Sequence, residues 1–476
     1  MNVNTVGAGF GYHYLPSTGD SKILVIPIET SDYSFTSYGS EWKTMLSNAF
    51  FGDETDTGWE SVASFYEKSS YDQLHISGEV SPAIKFDMTQ MEMITQYEKY
   101  QEKNLNYTDY ILSSCIQTLS EKTDIKLSDY DSDGDGYIDA VWLVYAMPYK
   151  KTSNFLWAYT TWATNQKKTD GVYACCYSWA SFQFLTSEDY RPYNISSYTN
   201  YADAHTYIHE TGHMLGLDDY YSYVDGNTDT PMGGVDMMDF NIGDHTAFSK
   251  FLLGWITPTL ITPEYLEKNG NTITLSSMTE MGDFLLLPIY KDGVIDYNDT
   301  PFDEYLLIEY YTPTGLNKSD VNGYGTSKLS TYSQPGVLVY HIDARIGKII
   351  GTSDGNKWDG YVYDTLPKYG SDKEWGSTYT YTYIFNNTKS YSYVSNLDES
   401  GNYYRGRLIS ILPRSGKKIQ GSYTGYSSIT SLYRAGSAFN SKLYGSFRFD
   451  DGSSVQYGFN VKSTTSSECV LEFSNF

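Results

Sequence analysis

The sequence predicts an α+β (α/β) domain followed by an all-β, sandwich-like C-terminal region. Three observations carry that expectation. Residues 22–29 read KILVIPIE, a mostly apolar run with β-branched residues that marks a first strand. Helix-patterned and strand-patterned segments then alternate up to about residue 262, as they do in α/β and α+β domains. From Asn271 onward the character changes to strand-like runs recurring between Gly, Asn, Asp and Ser turns.

Taken in order, residues 61–67 (SVASFYE) have the spacing of a helix. The following SSYDQLHISGEV alternates Leu74, Ile76 and Val80, a strand or hairpin with Gly78 as punctuation. Helical spacing returns at residues 107–119 through Tyr110, Ile111, Ile116 and Leu119. After an acidic loop, AVWLVYA (140–146) reads as a buried strand, and residues 201–215 and 247–253 as further helices. Pro258 and Pro263, each preceded by a Thr, mark a junction that divides the chain into domains 20–262 and 263–476. Beyond it TITLSSM, DFLLLPIY, EYLLIEYY, GVLVYHID, RLISILP, FRFDD, YGFNVK and CVLEFSNF suit one or two β-sandwich modules. Their spacing is irregular, so no internal repeat is expected.

Composition narrows the function classes. The 476 residues include 33 basic and 58 acidic side chains, a formal net charge of −25, which argues against nucleic acid or anionic membrane as a partner. The 49 tyrosines would leave too much apolar surface in water for a disordered chain. No apolar run approaches the length of a membrane span. Cys115, Cys175, Cys176 and Cys469 lack metal or redox spacing and read as buried thiols. The first residues show no signal-peptide pattern, while the low-charge, Tyr/Ser/Gly/Asn-rich composition leans toward export. Either the protein is cytoplasmic or a leader has been removed; the expectation is a secreted or cell-surface protein whose leader is not present in this chain.

The chemistry is concentrated in HTYIHETGHMLGLDDYY, residues 205–221. His209-Glu210-Thr211-Gly212-His213 is an HExxH motif within a predicted helix. Residues four apart share a helix face, so both imidazoles can reach one zinc ion. Glu210, on the neighbouring face, can approach a water on that metal as general base without being a ligand. Given the His and acidic content, chance would produce this pattern roughly 0.01 times per chain. Gly216 can end the helix with a positive φ and return the chain, so that Asp219 supplies a third ligand. Asp218 is the alternative. His205 repeats the four-residue step, but it lies about 12 Å of helix rise from His213 and cannot share one zinc with it. It is expected to pack behind the ligands.

A second metal motif spans residues 131–139, DSDGDGYID. Asp131, Asp133 and Asp135 at alternating positions, Gly136, the Tyr137 carbonyl and Asp139 reproduce the first part of a calcium loop. Position 12 is Trp142, and the flank is a strand rather than a helix, so the loop is not an EF-hand. Four carboxylates within nine residues repel one another without a cation. A structural Ca²⁺ fixing the start of AVWLVYA is expected; the bland alternative is a solvated acidic turn.

With HExxHxxGxxD come Val235-Asp236-Met237-Met238-Asp239, then Gly243-Asp244-His245-Thr246-Ala247-Phe248-Ser249-Lys250 and Leu253-Gly254-Trp255. Together they resemble the immune-inhibitor-A-type zinc metallopeptidases of the metzincin clan. The resemblance extends over roughly residues 20 to 345. It implies a metzincin-like catalytic domain, secreted endopeptidase activity, zinc held by two His and an Asp, and often calcium. It also implies a methionine in a tight turn beneath the metal, which by match is Met238, with Met237 the alternative. One departure is Phe240, where some metzincins carry a Tyr that helps stabilise the tetrahedral intermediate. The oxyanion partner is therefore unassigned; His245 and nearby tyrosines are candidates, each with a structural role as the plainer reading.

The resulting expectation is a zinc endopeptidase acting on protein or peptide substrates. Two other classes compete with it: a catalytically silent surface or adhesion protein on a peptidase scaffold, and a zinc hydrolase of a glycan-linked amide. An intact HExxH counts against the silent scaffold.

Overall fold

A computed structural model of the chain describes residues 2–5, 12–164, 166–186, 202–221, 231–240, 242–321, 332–352, 355–361, 379–384, 408–416, 430–440, 449 and 453–475. The chain forms two compact units, a first of Tyr12–Leu217 and a second of Asp218 onward together with residues 2–5.

The first unit is built on one sheet. Its main path is β1 (Gly19–Glu29), β2 (Leu74–Val80), β3 (Ala140–Tyr145), β4 (Tyr159–Trp162) and β5 (Cys176–Ser181), in the spatial order β2-β1-β3-β5-β4, with the short strand Ile84–Lys85 also paired to β1. The pairs β1–β2, β1–β3 and β3–β5 are parallel, while edge strand β4 runs antiparallel to β5. Parallel strands need helical crossovers, which cover both faces. The longer helices are α1 (Trp42–Phe51), α2 (Val62–Ser69), α3 (Gln90–Gln101), α4 (Tyr107–Lys122) and α5 (His205–Met214).

On one face Leu24, Ile26 and Ile28 of β1 share a core with Ile111, Leu112, Cys115, Ile116 and Leu119 of α4. On the other, Trp142 of β3 meets Phe50 of α1 and Tyr207 of α5, with ring centroids 5.2 and 4.9 Å away. Burial on both sides explains why β1 and β3 read as continuous apolar runs instead of alternating ones. Local signals set the helix starts: Ser61 with Ser64, and Thr89 with Glu92, form reciprocal capping boxes at α2 and α3. Gly78 lies inside β2 with φ 154°, where a β-carbon would collide with the carbonyl oxygen of Ile23. The glycine read as punctuation is thus a point of close backbone approach.

The second unit is β-rich. Strands β6 (Thr272–Ser276), β7 (Phe284–Lys291), β8 (Glu304–Tyr311), β9 (Gly336–Asp343), β10 (Ile409–Ile411), β11 (Tyr457–Thr464) and β12 (Glu468–Asn475) form the antiparallel paths β7-β8-β9-β10 and β6-β12-β11 of two sheets, extended by the short strands Val294–Asp296 and Thr259–Leu260 on β7 and Ala438–Phe439 on β11. Leu285, Leu287, Ile308 and Val339 from the first sheet share one buried core with Phe459, Val461, Leu471 and Phe473 from the second. Their period of two is the alternation of a sandwich face. A further antiparallel sheet pairs Ile346–Thr352 with Gly355–Tyr361 and Tyr379–Ile384. The segments expected at Tyr201 and in FRFDD, Phe449 apart, lie outside the described residues.

The division at Leu217/Asp218 differs from the boundary at residue 262 read from the prolines. The reason is the helix α6 (Ala247–Leu252), which packs on the outer face of β7 and β8. Phe251 meets Phe284 at 5.6 Å and Tyr305 at 6.5 Å, and the Ala247 N–H donates to Glu309 across 2.8 Å. All eight residues of β8 are consequently buried. All four cysteines are free and buried, as small apolar residues are. Among the described residues no helix is long and apolar enough to cross a membrane.

Candidate metal centre

Helix α5 begins without a side-chain cap on Ala204. Instead the Asp203 carboxylate accepts the N–H of His205 at 3.1 Å and faces its Nδ1 at 2.6 Å. His205 also stacks on Trp59, with centroids 4.3 Å apart and planes 4° from parallel. It is a packed residue at the helix start, consistent with the rise argument. Buried hydroxyls anchor the helix further along. Tyr66 donates to the Ile208 carbonyl at 2.8 Å, and Tyr207 donates to that of Ser181 at 3.1 Å.

The helix ends as the sequence requires. Gly216 takes φ 100°, its N–H bonds to the His213 carbonyl, and the Leu217 N–H bonds to that of Gly212. This is a Schellman turn, which only a residue tolerant of positive φ completes without strain. Over this continuous stretch His209, His213 and Asp219 each offer a ligand atom, all within 4.8 Å of one another. The imidazoles are nearly perpendicular, 89° between planes, with centroids 4.9 Å apart. His209 and Asp219 are buried and His213 is half-buried, whereas Asp218 is exposed. His213 Nδ1 donates to the Leu217 carbonyl at 2.8 Å, leaving Nε2 as the ring's lone-pair atom.

Glu210 is buried beside the two histidines in sequence. Edge strand β4 reaches it through Thr160, whose Oγ1 lies 2.9 Å from the Glu210 carbonyl oxygen and 3.0 Å from Oε2. Thr160 had no signal in the sequence: YTTW is short, half-buried and without alternation.

In the second unit Met237 and Met238 are both fully buried, in the short turn of helix Met237–Phe240. The turn is held by Asp236, a non-glycine residue at φ 94°. Its carboxylate accepts from the Met238 N–H at 2.8 Å, the Thr246 N–H at 2.7 Å and the Thr246 and Ser249 hydroxyls at 2.8 Å each. His245 Nδ1 lies 3.1 Å from the same group. Burial opposes ionisation of Asp236, but His245 and the backbone N–H groups outweigh it and hold the carboxyl below its ordinary value. The Met238 carbonyl in turn accepts the N–H of Tyr220, the residue after Asp219. His245 therefore serves the turn through Asp236. Phe240 closes the turn, half-buried.

At the second motif Asp131, Asp133 and Asp139 bring ligand oxygens within 4.8 Å of one another. Gly134 and Gly136, at φ 75° and 89°, make the tight loop. Asp139 accepts from the Lys22 N–H at 3.0 Å and from Ser132 Oγ at 2.6 Å, tying the loop to β1. Burial pushes the Asp139 carboxyl up to about 6, and burial with the Asp135 and Asp131 charges raises Asp133. Asp131 Oδ1 is buried with no hydrogen-bond partner. Asp135 stands outside the trio: its Oδ2 lies 2.6 Å from Nδ1 of His13, whose ring stacks on Tyr137 at 3.4 Å. Of the five residues expected at the calcium loop, the Asp131, Asp133 and Asp139 carboxylates converge and Asp135 pairs with His13, while the role expected of Tyr137 belongs to its carbonyl, on which the ring stack does not bear.

No family model matches the sequence, and no curated protein compared with it is similar to it.

Proposed function

We propose that the chain is a zinc-dependent endopeptidase, metzincin-like and of the immune-inhibitor-A type, that hydrolyses peptide bonds of extracellular proteins. The observation that carries this reading is the convergence of His209, His213 and Asp219 at one end of a helix whose next side chain is Glu210. Two imidazole nitrogens and a carboxylate oxygen suit zinc and leave a coordination position for water or substrate. The His213 tautomer, set by Leu217, fits that role. Zinc at this site would supply Lewis acidity and bring the pKa of a water toward neutrality.

The chain's own groups do the rest. Glu210 takes the proton of the attacking water and passes it to the leaving amine. The Asp219 carboxylate would lower the net charge of a zinc held there and temper its Lewis acidity. Met238, fixed by Asp236 and joined to Tyr220, is the turn methionine of this reading. Asp131, Asp133 and Asp139 supply hard oxygen donors for a structural Ca²⁺, and the partnerless Asp131 Oδ1 is the atom that asks for one.

The test pairs zinc quantification with casein hydrolysis. One zinc per chain, chelator-sensitive cleavage, and a Glu210→Ala variant that keeps fold and zinc but loses turnover are expected. Stoichiometric zinc without cleavage would sink the peptidase reading.

A further inference from the structure

Resting on the reading of Glu210 as general base, we infer that Thr160 is the positioning residue for that base. Three oxygens surround the Thr160 hydroxyl: the Glu210 carbonyl at 2.9 Å, Glu210 Oε2 at 3.0 Å and Ser178 Oγ at 2.7 Å. The Glu210 oxygens only accept when the carboxyl is ionised, so Thr160 spends its single proton on Glu210. Ser178, on the adjacent strand β5, then donates its own proton to Thr160. The order is Ser178 to Thr160 to Glu210, running across paired residues of β4 and β5.

This arrangement fixes the base twice. One hydroxyl grips both the main chain and the side chain of Glu210, which restricts the rotamers of a flexible carboxylate. A hydroxyl also donates to a carboxylate and accepts from a carboxylic acid. Valine has the same shape and can do neither. Serine can do both.

The experiment uses the full chain with Thr160→Val and Thr160→Ser. Thr160→Val should lower kcat on casein by roughly 10–100-fold with KM and zinc stoichiometry unchanged. Thr160→Ser should retain most of kcat. A crystal structure of Thr160→Val should show the Glu210 carboxylate in a different rotamer. Wild-type kcat in Thr160→Val, or an unmoved Glu210 carboxylate, overturns the proposal. So does a serine variant as impaired as valine with parallel loss of zinc or folding, which is the mark of a merely structural hydroxyl. Failure of the base reading is seen separately, as turnover surviving in Glu210→Ala.

Discussion

The Nδ1–H of His213 donates to the carbonyl oxygen of Leu217 across 2.8 Å. Leu217 is also the residue whose own N–H closes the Schellman turn onto Gly212. The backbone that terminates the helix therefore selects the histidine tautomer and begins the return toward Asp219. Helix termination and the placing of the candidate ligand atoms are one feature here, and they share a dependence on Gly216.

Replacing Gly216 by alanine tests that dependence. At φ 100° a β-carbon is strained by about 1–2 kcal/mol, and relief of that strain displaces Leu217 and Asp219 together. Zinc affinity should fall roughly 10–100-fold, as for other losses of ligand orientation. Competition against a chromophoric chelator measures it. Unchanged affinity would mean that the turn does not position the ligands.

The two adjacent aspartates separate cleanly. Asp219 is buried among the ligand atoms, whereas Asp218 faces solvent. Asp219→Asn should lose most bound zinc on dialysis, and Asp218→Asn should keep it, with stability altered by less than about 0.5 kcal/mol as for surface changes generally. The opposite pattern would move the third ligand to Asp218.

This part of the site was legible because it is local. The histidines, the helix-ending glycine and the aspartate are fixed relative to one another by helix geometry and one turn. Partners from distant chain were not legible. Thr160 arrives on a four-residue edge strand, and His13 reaches Asp135 from 122 residues away, a contact that the calcium-loop spacing does not announce. Helices Trp42–Phe51 and Gln90–Gln101 went unread because few of their residues are buried: three in one, only Met93 in the other. Strand β5 reads CYSWAS, yet every residue is buried, so neither alternation nor an apolar run announced it. The unit boundary was hidden for a related reason. The outer face of β8 needed a cover, and α6 supplies it, a tertiary demand that no linker composition records.

Calcium should act beyond its own loop. His13, stacked on Tyr137 and paired with Asp135, accepts the Trp162 indole N–H at its carbonyl across 2.9 Å. Two residues on, the Leu15 N–H bonds to the Met214 carbonyl at the end of α5. Removal of calcium with EGTA should expose residues 12–17 to limited proteolysis. It should also lower stability by about 2.7 kcal/mol relative to calcium at a hundredfold excess over Kd. Asp131→Ala should abolish both responses. A calcium response persisting in that variant would place the cation elsewhere.

Buried carboxyls of the second unit set a distinct pH dependence. Burial pushes Glu309 up to about 7, although it accepts the Ala247 N–H and the Tyr340 hydroxyl. Burial likewise pushes Asp303 up to about 7. A carboxyl with a raised folded-state pKa keeps a proton that the unfolded chain has released. Its contribution is therefore complete below the unfolded value near 4.5 for Glu309, and is lost as pH rises through about 7. The Glu309 share is on the order of 3 kcal/mol, since each tenfold change in proton affinity corresponds to about 1.4 kcal/mol. Glu309→Gln removes the ionisation while keeping an acceptor for Ala247. With zinc and calcium in excess at both pH values, thermal unfolding at pH 5 and pH 8 should show a smaller loss for Glu309→Gln than for the wild type. Equal losses would mean that Glu309 stays ionised across the range, its negative charge balanced within the fold.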